Sequence, residues 1–576
     1  MKKTTPRKED EDRTGIDRLV SEPVNGANVL VRTLEELGVE VVFGITGGAI
    51  MPFNDQLSAS SIDFVCTKNE QGAAFAAEGY ARSSDKVGVC FSTSGPGALN
   101  LTTGCLNAKM DSVPVVYITG QVADHLIGTD AFQEAPVIGV TMETTKHNYL
   151  VKNVEEIPAV IKEAFEIART GRPGPVVIDI PKNIFLSEYT NKNGKSRGMP
   201  AGYNPHNSID DESIREAADI LKDAKRPVII AGGGVIRSGA CEQLKMLAEE
   251  NYLPVVTTLM GVGSFPESHE LAFKMGGMHG SYCANYAVNH ADVILAIGMR
   301  FDDRFTGNVN KFAPNREHII HVDVDPAEHN KIIPATLPIQ GDAKEFIEDL
   351  VRHANAGDHS KWMEDLSACK KEHSFSYKPN GHISPQQVIE GIRKITKGDA
   401  IITTDVGQHQ MWVAQFYNFD NPDMITSGAQ GYMGFGGPAA MGAYYANPDK
   451  TIVNVCGDGS FYMNIQELKT MKDYGIPVKM FVLDNGAYGM VNQWTKYGTG
   501  ETDYTIIPME EREIEMTARG FGINAQTVVN NEHVTKAIKR ALASEGPYLT
   551  VFKIPTNEKA LPITPPGGGF ENIERE

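Results

Sequence analysis

The chain has 576 residues, of which 41% are hydrophobic and 22% charged, and 54 Lys+Arg against 73 Asp+Glu give a net charge of -19. At ~150 residues per domain this length exceeds a single core and predicts three or four. The acidic balance argues against a nucleic-acid partner, and every apolar run falls short of the roughly 18 residues that cross a bilayer, so neither nucleic-acid binding nor membrane insertion is expected.

Residues 1–22 carry charge but no apolar stretch and read as a disordered tail without a secretory signal or anchor. From 23 to 190, β-branched runs (VVFGI, GVCFST, PVVYITG, PGPVVIDIP) alternate with helix-like stretches such as EQGAAFAAEGYARSS. That alternation predicts a parallel sheet covered by helices. A polar linker, 191–208, leads to a second alternating block at 209–353, with RPVIIAGGG, LPVVTT, DVILAIGM and HIIHVDVDP as its strands. A second linker, 354–383, precedes a third block at 384–564 (AIITTDVG, DMITSG, TIVNVCGDG, PVKMFVLDN, PYLTVFKIP), and 565–576 is expected as a low-complexity C-terminal tail. The fold class expected is therefore α/β, with three doubly wound parallel-sheet domains. Seven scattered cysteines without a Cys-x-x-Cys pair suit buried thiols in a reducing cytoplasm.

Gly457-Asp458-Gly459 stands between a strand and a helix, where backbone N–H groups can face a phosphate while the carboxylate holds a divalent cation. Asn485 lies in the turn after the next strand, and consecutive parallel strands deliver their C-terminal ends to one edge. Asp458, Asn485 and the backbone carbonyl of Ala487, with two phosphate oxygens and a water, make up the roughly six oxygens that Mg²⁺ takes. DVGQHQMW brings Gly407, Gln408 and His409 to the same edge. Taken singly, Gly-Asp-Gly is a tight turn and Asn485 a helix cap; their paired spacing favours a diphosphate site.

This spacing resembles the signature of thiamine diphosphate (ThDP) enzymes, whose three-domain order matches the chain along nearly its whole length after the tail. The resemblance implies a ThDP pyrimidine-binding domain (23–190), a central Rossmann-like, FAD-binding-like domain (209–353) and a ThDP diphosphate and Mg²⁺-binding domain (384–564). The family usually has two Asn where this chain has Asp484-Asn485, so the ligand role passes to Asn485 alone. It implies Glu70 as the acid at the aminopyrimidine ring, although a Glu at a helix start is ordinarily explained by the helix dipole. It implies Met433 beneath the cofactor, with Gly431, Gly459 and Ser460 among the contacts. Because Glu70 and Asp458 belong to different domains, family geometry implies a homodimer or homotetramer with sites shared between subunits.

SGPGALN, TGQVADHLIGTDAFQE, GRPGPVVIDIPK, GMHGSYCANYAV, MRFDDRFTGN, DVGQHQMW and GMVNQW resemble, more narrowly, the catalytic subunits of acetohydroxyacid (acetolactate) synthases. That implies decarboxylation of pyruvate on ThDP and transfer of its two-carbon unit to a second 2-ketoacid, giving 2-acetolactate or, from 2-ketobutyrate, 2-aceto-2-hydroxybutyrate. This is the first common step of valine, leucine and isoleucine biosynthesis. Arg304, in FDDR, would hold the acceptor's carboxylate with its planar fork, and Trp494 would shape the acceptor pocket. Read without the resemblance, Arg304 could pair with Asp302 or Asp303, and Trp494 could be core. Gly48, Phe132, Gln133 and Lys182 match positions near the reacting centre.

In the middle block, RPVIIAGGGVI reads as strand, glycine turn and helix, and HVDVDP ends in acids that could meet ribose hydroxyls. The resemblance implies FAD in a non-redox role at Arg172, Gly232, Gly233, Gly234, Thr258, Leu259, His279, Arg300, Asp303 and Asp323, and a regulatory small subunit as a further partner. Thr46 and Gly437 replace a Pro and a Leu common in this group, and KYGTGETDYTIIP after Trp494 departs from its usual run, which leaves substrate preference less fixed than reaction class. The rival readings are another ThDP-dependent 2-ketoacid decarboxylase or pyruvate oxidase, and a non-catalytic assembly subunit, against which Glu70, Asp458 and Asn485 speak.

Overall fold

The computed structural model describes residues 24–190, 199–205, 208–355, 357–378, 381–495, 497, 505–508 and 510–575. The expected tail 1–22, part of the linker 191–208 and much of the segment after Trp494 lie outside the described residues.

Three domains each contain a six-stranded, wholly parallel sheet flanked by helices. The first sheet runs, edge to edge, Asp63–Cys66, Val41–Gly44, Gly88–Ser92, Val115–Gln121, Val176–Pro181, His147–Leu150. The third runs Met424–Thr426, Ala400–Thr404, Thr451–Gly457, Lys479–Asp484, Tyr548–Lys553, Asn524–Val528. Numbered in chain order within each sheet, both have the order 2-1-3-4-6-5. The middle sheet, built from Pro227–Ala231, Val255–Thr257, Ala272–Met275, Val293–Ile297, His318–Asp323 and Leu337–Gln340, has the order 3-2-1-4-5-6 of dinucleotide-binding domains.

Local sequence explains the elements. Val176–Pro181 and Val293–Ile297 are buried at every position, as strands covered by helices on both faces must be. Helix Ile157–Arg169 starts with Pro158 in its first turn and buries Ile157, Val160, Ile161, Ala164, Phe165 and Ala168, one apolar stripe at helical spacing. Helix Ser360–Glu372, within the stretch expected as a linker, packs Trp362, Met363 and Leu366 into the middle-domain core. Its three apolar side chains sit in a mostly polar run that hides the stripe.

The first and third domains meet along helix Glu70–Arg82 and helix Gly436–Ala446, each of which follows the second strand of its own sheet. A Cβ on Gly79 would overlap the carbonyl of Ala439, and one on Gly442 the carbonyl of Ala76, so this close backbone approach requires glycine. Phe75, Tyr80, Phe435 and Met441 share one core across the contact. Beside it Arg82 reaches Asp111 at 2.6 Å and donates to the carbonyl of Thr426 at 3.0 Å. Asp111 also accepts the N–H groups of Gly428 and Ala429 at 2.9 and 2.8 Å, which ties the chain ahead of Met433 to the first domain.

Residues 565–575 run over the middle domain, where Phe570 enters the core beside Phe312 and Ile563 pairs with Glu574. Among the described residues no helix is long and apolar enough to cross a membrane, and all seven cysteines are free.

Candidate active site

The C-terminal edge of the third sheet gathers one set of expected residues. Gly457 is in register with Leu483 on the neighbouring strand, so the turns that follow, Asp458-Gly459 and Asp484-Asn485, lie side by side. Asp458, 2% exposed, accepts Gly459 N–H at 2.8 Å and Gly486 N–H at 2.7 Å. Burial first, then the neighbouring Asp484 charge, push its carboxyl well above the usual range. Lys553 is the paired cation here, 2.7 Å from Asp484, so two buried carboxylates face one ammonium. That surplus of negative charge fits a divalent cation, with the amide of Asn485 beside it: its oxygen accepts Ala487 N–H at 3.1 Å and its nitrogen donates to Gln408 at 3.3 Å.

The anion side fits as well. His409 is buried, its Nε2 has no hydrogen-bond partner, and burial lowers its pKa to about 3, so it is a neutral imidazole with a spare polar atom. Gly407 adopts φ 145°, a conformation open to glycine, and side chains at Gly407 or Gly457 would press on this ring. A Cβ at Gly489 would overlap the amides of Gln408 and Asn485, so the cradle depends on bare backbone. Gly431 and Gly434, at φ 67° and 86°, flank Met433, and Ser460 Oγ donates to the Val406 carbonyl at 3.4 Å.

Glu70 opens helix Glu70–Arg82 at the corresponding edge of the first sheet, half-buried, accepting from Asn100 Nδ2 at 2.9 Å. Gly48, Phe132, Gln133 and Lys182 stand in loops or helix starts that follow other strands of the same sheet. Gly48 faces open space, Phe132 is 89% exposed, and Gln133 is held at φ 60° against Gly95. One chain therefore presents this edge outward.

Arg304 and Trp494 come together from the middle and third domains, the guanidinium 4.7 Å from the ring centroid. Asp302 spends its carboxylate on the N–H groups of Arg304 and Phe305, and Asp303 approaches the guanidinium only to 3.9 Å. Arg304 remains 60% exposed and borders a cleft of about 140 Å³ lined by Met278, Thr564, Pro565 and Phe570.

The expected FAD residues of the middle domain lie along the C-terminal edge of its sheet. Gly232 and Gly234 pack against Gly298 at the point where strand order reverses, where a Cβ on either would strike that backbone. His279 is buried and turned toward the backbone of Ala560 and Pro562, and half-buried Arg300 has, among the described residues, neither an ion pair nor a side-chain hydrogen bond, so Arg300 offers the free polar group here. Thr258 caps the turn Leu259–Gly261, and Asp323 accepts Asp325 N–H at 2.9 Å. Arg172 arrives from the first domain, bound to Asp325 at 3.0 Å and Glu328 at 2.7 Å. These residues fit a dinucleotide, with Arg172 already engaged.

Sequence reasoning missed Gln493, whose amide holds Gln408 at 2.9 Å and the backbone of Ala560 at 2.9 and 3.1 Å. It also missed Glu467, a buried carboxylate bonded across domains to the backbone of Lys68. Neither carried a signal beyond its place next to an expected motif.

Family models match three stretches: the N-terminal TPP binding domain of thiamine pyrophosphate enzymes over residues 24–140, their central domain over 214–350 and their C-terminal TPP binding domain over 405–552. The chain is 44% identical over 569 residues to the "Probable acetolactate synthase large subunit" of Methanocaldococcus jannaschii, covering 96% of this chain and 95% of that protein. It is 42% identical over 552 residues to the "Acetolactate synthase large subunit" of Lactococcus lactis, covering 95% and 96%. It is 43% identical over 591 residues to the "Acetolactate synthase, chloroplastic" of Arabidopsis thaliana, covering 99% and 88%.

Proposed function

This chain belongs to the thiamine pyrophosphate enzymes and, within them, to the acetolactate synthase large subunits, and on that premise we propose that it condenses pyruvate with a second 2-ketoacid. The observation that carries the reading is Arg304: exposed, without a close carboxylate partner, and stacked on Trp494 beside a cleft sized for a small acid. A planar guanidinium held by an aromatic face can receive a carboxylate through two parallel hydrogen bonds.

Asp458, Asn485 and the carbonyl of Ala487 would hold Mg²⁺, and His409 with the bare backbone at Gly407 and Gly457 would receive the diphosphate. ThDP, when bound, supplies a carbon that adds to the ketoacid carbonyl and an electron sink for the pair left by CO₂. Glu70 would exchange a proton with N1′ of the aminopyrimidine ring, and Met433 would support the cofactor from below. Gly48, Phe132, Gln133 and Lys182 line the mouth, while Trp494 limits the size of the acceptor's side chain. The middle domain would keep FAD without redox work, since the condensation has no net oxidation or reduction.

On this reading a second chain completes the site, because Glu70 and Asp458 lie on different domains. Leu99, Ile127 and Phe132 stand exposed in the first domain, as do Met463, Tyr488 and Val491 in the third, and these are the apolar side chains that a second copy would cover. We assign that partner to another copy of this chain, at least a homodimer; a regulatory small subunit would bind elsewhere.

Product analysis with pyruvate, ThDP and Mg²⁺ tests the reading. Acetolactate is expected, joined by aceto-hydroxybutyrate once 2-ketobutyrate is added. Acetaldehyde or acetyl phosphate as the dominant product rejects it.

A further inference from the structure

The helix that carries Glu70 begins against a carboxylate from another domain. Glu467, 1% exposed at the start of helix Glu467–Tyr474, accepts the N–H of Lys68 on both oxygens at 3.1 and 3.2 Å. The same carboxylate accepts from the backbone of Asn69 and, at 2.6 Å, from the hydroxyl of Thr470. It occupies space that a side chain at Gly72 would need, since a Cβ there would lie 2.6 Å from Oε1. Asn464, one turn earlier, donates to Gln71 at 3.2 Å and to the carbonyl of Gly434 at 2.9 Å.

These contacts do more than close a helix end. Asn69 already caps the helix by accepting Gln71 N–H at 2.8 Å. Glu467 holds the two residues before Glu70 instead, and so joins the start of the helix to the third domain. Burying a carboxylate costs several kcal/mol unless donors surround it, and a neutral packing residue would avoid that cost. Burial pushes Glu467 up to about 7, and the donors of Thr470, Lys68 and Asn69, with the charge of the Lys68 side chain behind them, partly compensate.

We propose that Glu467 is a positioning residue for the condensation: it fixes the first turn of the Glu70 helix so that the Glu70 carboxyl stays in register with the cofactor's ring. This rests on the assignment of Glu70 made above. Helix Asp458–Met463 leads directly into Asn464 and Glu467, so one short stretch joins the metal ligand to the Glu70 helix of the same chain.

The test compares Glu467→Ala, Glu467→Gln, Glu70→Gln and the double variant Glu70→Gln/Glu467→Ala in the full-length protein saturated with ThDP and Mg²⁺. NMR follows exchange of the cofactor's C2 proton, and fluorescence titration follows ThDP affinity. Glu467→Ala should slow exchange by roughly 10- to 100-fold while ThDP affinity changes by less than about 3-fold, because misplacement costs rate rather than diphosphate binding. Glu467→Gln, whose amide oxygen can still accept from Lys68, should restore most of the rate. The double variant should exchange no more slowly than Glu70→Gln. Gly72→Ala displaces the carboxylate without removing it, so it should slow exchange as well and carries the test if Glu467→Ala does not fold. Wild-type exchange in Glu467→Ala or in Gly72→Ala, or a double variant slower than Glu70→Gln, overturns the proposal. Wild-type exchange in Glu70→Gln removes the Glu70 assignment itself.

Discussion

Arg304 lies over the face of Trp494, two residues from different domains whose ring-to-guanidinium distance is 4.7 Å. A stack of this kind is worth ~0.5–1 kcal/mol at an exposed site, so its loss alone should weaken acceptor binding only a few-fold. Pocket shape should matter more: Trp494→Leu is expected to erode discrimination between 2-ketobutyrate and pyruvate by roughly 10-fold or more, since one methylene is worth ~1–3 kcal/mol in a fitted pocket. The product ratio under competition measures it. Arg304→Lys keeps the charge but loses the fork, and should raise the acceptor's KM by about 10-fold.

His409 is a neutral buried imidazole with a free Nε2. Replacing it with Phe keeps the bulk and removes the polar atom, which should weaken ThDP binding by about 1 kcal/mol, several-fold, in a fluorescence titration at fixed Mg²⁺. An unchanged affinity would remove His409 from the diphosphate site.

Glu78 is buried beside Arg82 and Asn107, and burial pushes its carboxyl up to about 8 from an ordinary 4.5. The folded protein thus keeps a proton that the unfolded chain releases in that window. Its contribution is complete below the unfolded pKa and is lost as pH rises through about 8. Glu78→Gln has no proton to lose and can still accept from Asn107. Melting temperatures of both proteins across this window should diverge, with the wild type falling relative to the variant by at most ~1.4 kcal/mol per pH unit.

Two glycines of one helix should respond oppositely to alanine. At Gly437 a Cβ would sit 3.8 Å from Met480 and 3.9 Å from Met471, ordinary contacts, so Gly437→Ala should stabilise by ~0.5–1 kcal/mol through backbone entropy. At Gly442 the added carbon would overlap the Ala76 carbonyl, and Gly442→Ala should cost ~1–3 kcal/mol or more and loosen the first domain from the third. Thermal melting and limited proteolysis separate the two.

The three β/α blocks were legible because buried parallel strands are apolar on both faces, as at Val293–Ile297. The Asp458–Asn485 pairing was legible because their strands are consecutive in the chain and adjacent in the sheet. What the sequence hid were partners brought together only by domain packing. Lys68 and Glu467 are 399 residues apart, and Arg172 and Glu328 are 156 apart. Periodicity reports which face is buried and not what covers it. Helix Ser360–Glu372 escaped notice for a different reason: its buried stripe is three residues wide in a run dominated by charge.

The crossing at Gly79 and Gly442 has a further meaning. Ala76-Ala77-Glu78-Gly79 meets Ala439-Ala440-Met441-Gly442, each glycine resting on the opposite segment's first alanine, in the self-matching manner of a twofold subunit interface. The two outer domains thus pack against each other as subunits of a dimer would, each helix using a bare position to seat the other's backbone, so enlarging either glycine would part both helices at once.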